Sequence, residues 1–221
     1  MKSCIVSFAR DGREKYAKAQ ARQIESLKAT GSSIPLLAFS EYPDGCPSHL
    51  DVSHAFKTFC VREAISAGYD NVMWCDSTIV FRKNPSFLMD VIEVRGHLFF
   101  DNYPGCTQSH WTSKDCAEIL EMTDEDFGVN QFAACVYGLN LTKPDSKKLY
   151  DMMLHHATDG RAMRHTSIGA RPDFKDQRHD QTILTCLATR LGMEPLPMRP
   201  YLAYSKDEWV NEAYLENRGI T

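Results

Sequence analysis

The segment from Tyr69 to Phe81 constrains this chain more than any other. It reads Tyr-Asp-Asn-Val-Met-Trp-Cys-Asp-Ser-Thr-Ile-Val-Phe, and its centre, Asn71–Cys75, runs directly into Asp76. A strand of this kind, apolar on both faces, belongs inside a sheet covered on both sides, which is the setting of parallel sheets. Such sheets gather their ligand-binding groups at the carboxyl ends of the strands. Asp76, Ser77 and Thr78 therefore stand where a ligand would be met. A carboxylate there binds ribose hydroxyls or a divalent cation bridging a diphosphate; the competing reading is an ordinary turn cap.

The flanking sequence supports an alternating α/β fold. Residues 3–9 predict a strand, 15–30 a helix stopped by Gly31, 35–39 a strand, and 55–67 a helix with Phe56, Phe59, Cys60, Ala64 and Ile65 at helical spacing. Residues 41–54, with Pro43, Gly45 and Pro47, read as a loop. A short helix at 86–91 leads to a strand at 97–100 that again ends on an aspartate, Asp101. Strand alternating with helix predicts a mostly parallel sheet with helices on both faces.

Beyond Asp101 the pattern changes. Residues 114–122 predict a helix with Thr112 and Asp115 as its cap pair, 132–141 a strand containing Gly138, and 142–156 a helix opened by Pro144. Residues 158–178 lack periodicity and carry Arg161, Arg164, Arg171, Lys175 and Arg178, as expected of a long functional loop. A last helix is expected over 180–191, capped by Asp180. One domain is expected over residues 1–221, with a nucleotide-binding half up to about 101 and an acceptor-side half from about 102.

Several classes are disfavoured. No apolar run approaches the ~20 residues of a membrane span, and the first residues lack the apolar core of a signal peptide, so a cytoplasmic location is expected. The eight cysteines form no C-x-x-C pair and read as reduced, structural thiols. With 25 Lys and Arg against 29 Asp and Glu, the net charge of −4 disfavours a protein that coats nucleic acid along its length. G-x-G-x-x-G, Walker and G-x-S-x-G motifs are absent.

Four segments together carry a family resemblance. The stretch from Tyr69 to Phe81 resembles the Y-D-K-V-L-Y-L-D-T-D-V segment of glycogenin-like and LgtC-like retaining galactosyltransferases. Ala55-Phe56-Lys57-Thr58-Phe59 followed by Trp74-Cys75-Asp76-Ser77-Thr78-Ile79 is closer still to the F-K-P-Y and W-L-D-S-S-I motifs of capsule-type transferases. Residues 132–141 are similar to their F-N-A-G-V-x-x-I-N-L strand, and His179-Asp180-Gln181-Thr182-Ile183-Leu184 to their D-Q-D-I-L-N helix start. The resemblance spans residues 3–191 and implies a single-domain GT-A, Rossmann-like fold. It also implies transfer of a sugar from a nucleotide-diphosphate donor such as a UDP-sugar.

By the same resemblance, Asp180 is the carboxylate nearest the reacting carbon. It would orient sugar hydroxyls in a retaining enzyme or act as general base in an inverting one. Gln181 would bind the sugar, and Asp101 is the rival base. Donor binding falls to Ser7, Ala9, Arg10, Lys57, Asp76, Ser77 and Thr78, and acceptor binding to Trp111, Arg178 and His179. Thr78 replaces the second aspartate of the family's D-x-D, and no histidine follows position 179. Asp76 is thus the sole metal ligand expected from that motif, and dependence on Mn²⁺ or Mg²⁺ is left open. A glycan or small-molecule acceptor is expected. Two alternatives stand beside it: a DNA acceptor carrying a hydroxylated base, met by the basic loop, and a nucleotide-sugar-binding module without turnover.

Overall fold

In the third strand, side chains alternate between two separate cores: Val72 and Trp74 join one, Met73 and Cys75 the other. That division organises the computed structural model, which describes residues 1–10 and 13–220. In chain order the first half contains β1 (Ser3–Phe8), α1 (Glu14–Ala29), β2 (Leu36–Phe39), α2 (Phe56–Ser66), β3 (Asn71–Cys75), β4 (Ile79–Phe81), α3 (Ser86–Arg95) and β5 (His97–Leu98). The second half contains the short helices α4 (Gln108–Trp111), α5 (Lys114–Ile119) and α6 (Asp124–Gly128), then β6 (Val136–Asn140) and α7 (Pro144–Asp159). A 3₁₀ turn (Arg161–Met163), α8 (His179–Arg190), β7 (Leu202–Tyr204) and β8 (Leu215–Asn217) complete it.

The main sheet has the order β2-β1-β3-β6-β5. β1 runs parallel to both β2 and β3, whereas β6 is antiparallel to β3 and β5, so β6 alone is reversed. One face packs against α2, α7 and α8 through Phe59, Leu149 and Ile183; the other packs against α1 and α3 through Leu27, Leu88 and Ile92. This is the mostly parallel, Rossmann-like α/β arrangement expected from the sequence.

Several local expectations are corrected. The strand expected at 132–141 begins only at Val136, because a turn at Ala134 and Cys135 precedes it. Reversal of β6 puts that turn beside the end of β3, where Cys75 pairs with Val136. The cap of α5 is Ser113, whose hydroxyl accepts from the Cys116 N–H, and Thr112 instead donates its hydroxyl to the Gln108 carbonyl. Asp180 lies inside the first turn of α8, one residue past its start, with Arg178 at the cap position. Sequence reading also missed a second sheet, ordered β4-β8-β7, that joins the strand after Asp76 to the end of the chain.

Candidate active site

Two of the expected carboxylates meet on one ammonium group. The Lys57 Nζ lies 3.1 Å from Asp76 Oδ1 and 2.9 Å from Asp180 Oδ2, and donates to the Ala134 carbonyl at 3.0 Å. Each partner comes from a different element. Asp76 follows β3, Lys57 stands in the first turn of α2, Asp180 in the first turn of α8, and Ala134 in the turn before β6. Alternation along β3 puts Asp76 on the Trp74 face, and the Trp74 indole donates to Asp76 Oδ1 at 2.8 Å. The Asp76 backbone is fixed as well: its N–H donates to the Cys135 carbonyl at 2.8 Å, and its carbonyl accepts from Gln23 at 2.9 Å.

Burial makes the charges of this cluster interdependent. Lys57 and Asp180 are 5% and 8% exposed, so neither could stay ionised without a partner. Burial pulls the lysine pKa down, but the carboxylates of Asp180 and Asp76 outweigh it and hold Lys57 above its ordinary value. Burial likewise pushes Asp180 up, and Lys57, then His54, bring it below the usual carboxylate range. His54 Nδ1 approaches Asp180 Oδ1 to 3.8 Å, yet burial outweighs that carboxylate and lowers the His54 pKa. His179 is pulled down further, to about 4, by burial and then by His54.

The cluster sits where two cavities adjoin. Both are lined by His54, Lys57 and Asp76. The first, about 250 Å³, is also lined by Ala9, Arg10, Arg13, Ser77 and Thr78 and by the aromatic rings of Phe8, Tyr42 and Phe56. Those rings stack, with Phe8 5.2 Å from Tyr42 and 4.6 Å from Phe56, and the Arg10 guanidinium lies 5.3 Å from the Tyr42 centroid. The second cavity, about 330 Å³, is lined by Gln177, Arg178, His179, Asp180, Gln181 and Tyr204.

Most expected site residues thus come together, with four corrections. Ser7 is fully buried and lines neither cavity. Lys57 lines both cavities but has all three N–H groups engaged by protein acceptors, so it holds carboxylates rather than a diphosphate. Asp101 also lies outside both cavities, bridged to Phe132, and burial raises its pKa. Trp111 lines neither cavity; instead its ring supports the Arg178 guanidinium at 4.0 Å. Sequence reading missed Arg13, Tyr42, His54 and Tyr204. Only His54 carried a local signal, standing three residues before Lys57 where the chain enters α2.

No family model matches the sequence, and no curated protein matches it. Solved structures do. A glycosyltransferase involved in the glycosylation of the major capsid of PBCV-1 superposes with a TM-score of 0.61 at 13% identity, over 100% of this chain and 94% of that one. The fold is that of a glycosyltransferase. The bifunctional glycosyltransferase WbbM, in its apo form, gives the same TM-score of 0.61 at 14% identity, over 98% of this chain and 45% of its own length. Among the described residues, no helix of this glycosyltransferase fold is long and apolar enough to cross a membrane.

Proposed function

We propose that this protein transfers a sugar from a nucleoside-diphosphate donor to a hydroxyl-bearing acceptor. The observation that carries this reading is the Lys57 cluster, which fixes one carboxylate from a strand tip and one from a helix start where two cavities meet. The first cavity suits the nucleotide: its stacked rings offer a face to the base, and Arg10 and Arg13 offer charge to the diphosphate. The second suits the transferred sugar and the acceptor, with Asp180 and Gln181 beside the reacting carbon.

Departure of a nucleoside diphosphate leaves positive charge on the sugar carbon and negative charge on the leaving oxygen. Asp180, kept ionised by Lys57, is a weak proton acceptor but a strong electrostatic partner for that carbon. Because the N–H groups of Lys57 are engaged, charge on the leaving group falls to Arg10 and Arg13.

Mn²⁺ and Mg²⁺ seek several oxygen ligands. Here Thr78 replaces a carboxylate, Asp76 Oδ1 is taken by Trp74 and Lys57, and Asp180 is taken by Lys57. Among the described residues, no group of three or more His, Cys, Asp or Glu side chains is disposed to hold a metal ion. Among the described residues, the side chains do not form a set that fits a resident divalent ion.

The basic loop favours a saccharide or small-molecule hydroxyl over duplex DNA. Arg161 is paired with Asp159 at 2.9 Å, and Arg171 with Asp124, which leaves less charge for phosphates. The test is turnover of a panel of nucleotide sugars by wild type, Asp76→Asn and Asp180→Asn, read as released nucleoside diphosphate. Each variant is expected to lose at least about 10²-fold, the scale of one fixed electrostatic contact at a transition state. Wild-type rates in both variants would overturn the reading. Donor binding without any cleavage by wild type would favour the binding module instead.

A further inference from the structure

The second cavity holds more hydrogen-bond donors than its own acceptors satisfy. The Arg178 guanidinium rests on the Trp111 ring at 4.0 Å and, among the described residues, has neither an ion-pair partner nor a side-chain hydrogen bond. In the same cavity His179 Nε2 and Gln181 Nε2 are buried without partners. Neither carboxylate of the cavity is bonded to these groups in place: Asp76 and Asp180 both turn an oxygen to Lys57. Burial leaves His179 neutral near pH 7, so among the described residues Arg178 is the cation of this cavity not engaged by a carboxylate. A guanidinium over an aromatic ring can still turn its N–H groups to carboxylate or phosphate oxygens, which it matches in pairs.

Another lining residue offers a fixed aromatic face. Tyr204 has its ring 5.5 Å from that of Tyr103, and Asp207 holds both, accepting from the Tyr204 N–H at 2.7 Å and from the Tyr103 hydroxyl at 2.6 Å. A rigid ring of this kind suits the apolar face of a pyranose. Resting on the transferase reading, we propose that the second cavity selects an acidic saccharide as acceptor. Its carboxylate or phosphate lies on Arg178, and its ring packs against Tyr204.

Ligand-observed NMR titration of the full chain, saturated with whichever of UDP, GDP and dTDP binds, tests this. Methyl glucuronide and glucose 6-phosphate serve as the acidic probes and methyl glucoside as the neutral one. At least one acidic probe is expected to bind tenfold or more tighter than the neutral probe. That preference should vanish in Arg178→Gln and return only in part in Arg178→Lys, with diphosphate affinity unchanged in both. Equal affinity of wild type for all three probes overturns the acceptor assignment while leaving the donor reading intact. So does an acidic preference that survives Arg178→Gln. Failure of every diphosphate to bind sinks the donor reading, and this inference with it.

Discussion

Lys57 joins three acceptors that reach it from distant parts of the chain, the Ala134 carbonyl being 77 residues away. Removing the ammonium would leave two carboxylates facing each other with no cation between them. Lys57→Met is therefore expected to cost about 3–5 kcal/mol, the usual result of orphaning one side of a buried pair. Adding Asp180→Asn should recover part of that loss, because the two changes act on one contact; urea midpoints at pH 7 measure both. The histidines give a separate signature. His179 holds its folded pKa at about 4, below the ~6.5 of a free imidazole, so the unfolded chain takes up this proton first as pH falls. Stability should drop between about pH 6.5 and 4, and His179→Asn should flatten part of that slope. Asp180 acts in the same sense lower down. Its depressed pKa contributes stability above the ordinary carboxylate value that is lost as pH falls through the folded one.

At the scale of elements, sequence reading succeeded where one helix or strand carried its own period. The parallel β1, β2 and β3 and the long helices α1, α2, α7 and α8 fall close to their expected places, because apolar spacing and a stop signal such as Gly31 are local. The reversed direction of β6 and the β4-β8-β7 sheet were not legible: short strands take their direction and partners from tertiary contacts. Residue types at the site were legible through the ordered motifs, yet the role of Lys57 depends on a turn carbonyl that no motif encodes. The sequence placed Gly138 inside a strand without a reason for it, and the structure supplies one: another element approaches closely there. A Cβ there would lie 2.3 Å from Ile92 Cδ1 and 2.6 Å from its Cγ1, at the contact of β6 with α3. Gly138→Ala should cost about 1–3 kcal/mol by overpacking, a loss that trimming Ile92 to Val should lessen. Thermal unfolding of the single and double variants decides it.

Across the whole molecule, β8 is tied to the first cavity by one buried carboxylate. Glu216 on β8 is 3% exposed and meets Arg82 at 2.6 Å and Arg218 at 2.7 Å, while Ser205 donates to it at 3.0 Å. The two arginines and the serine hold its pKa at about 2 against the cost of burial. Two residues on, the Arg218 N–H donates to the Thr78 carbonyl at 3.1 Å, and Ile220 beyond it lines the first cavity with Ser77 and Thr78. A break at Glu216 thus reaches the first cavity through the backbone, although Glu216 itself lines neither cavity. Glu216→Ala removes the acceptor shared by the two guanidiniums and leaves them repelling each other. It should weaken the β4-β8 pairing and loosen the wall formed by Ile220. Affinity for a nucleoside diphosphate should then fall about tenfold, in step with destabilisation measured by urea. Glu216→Gln keeps the shape but not the charge, and should land between wild type and Ala. If the β8 network is only scaffolding remote from the ligand, both variants will unfold more easily yet bind diphosphate as wild type does. That outcome would detach the second sheet from ligand binding in the first cavity.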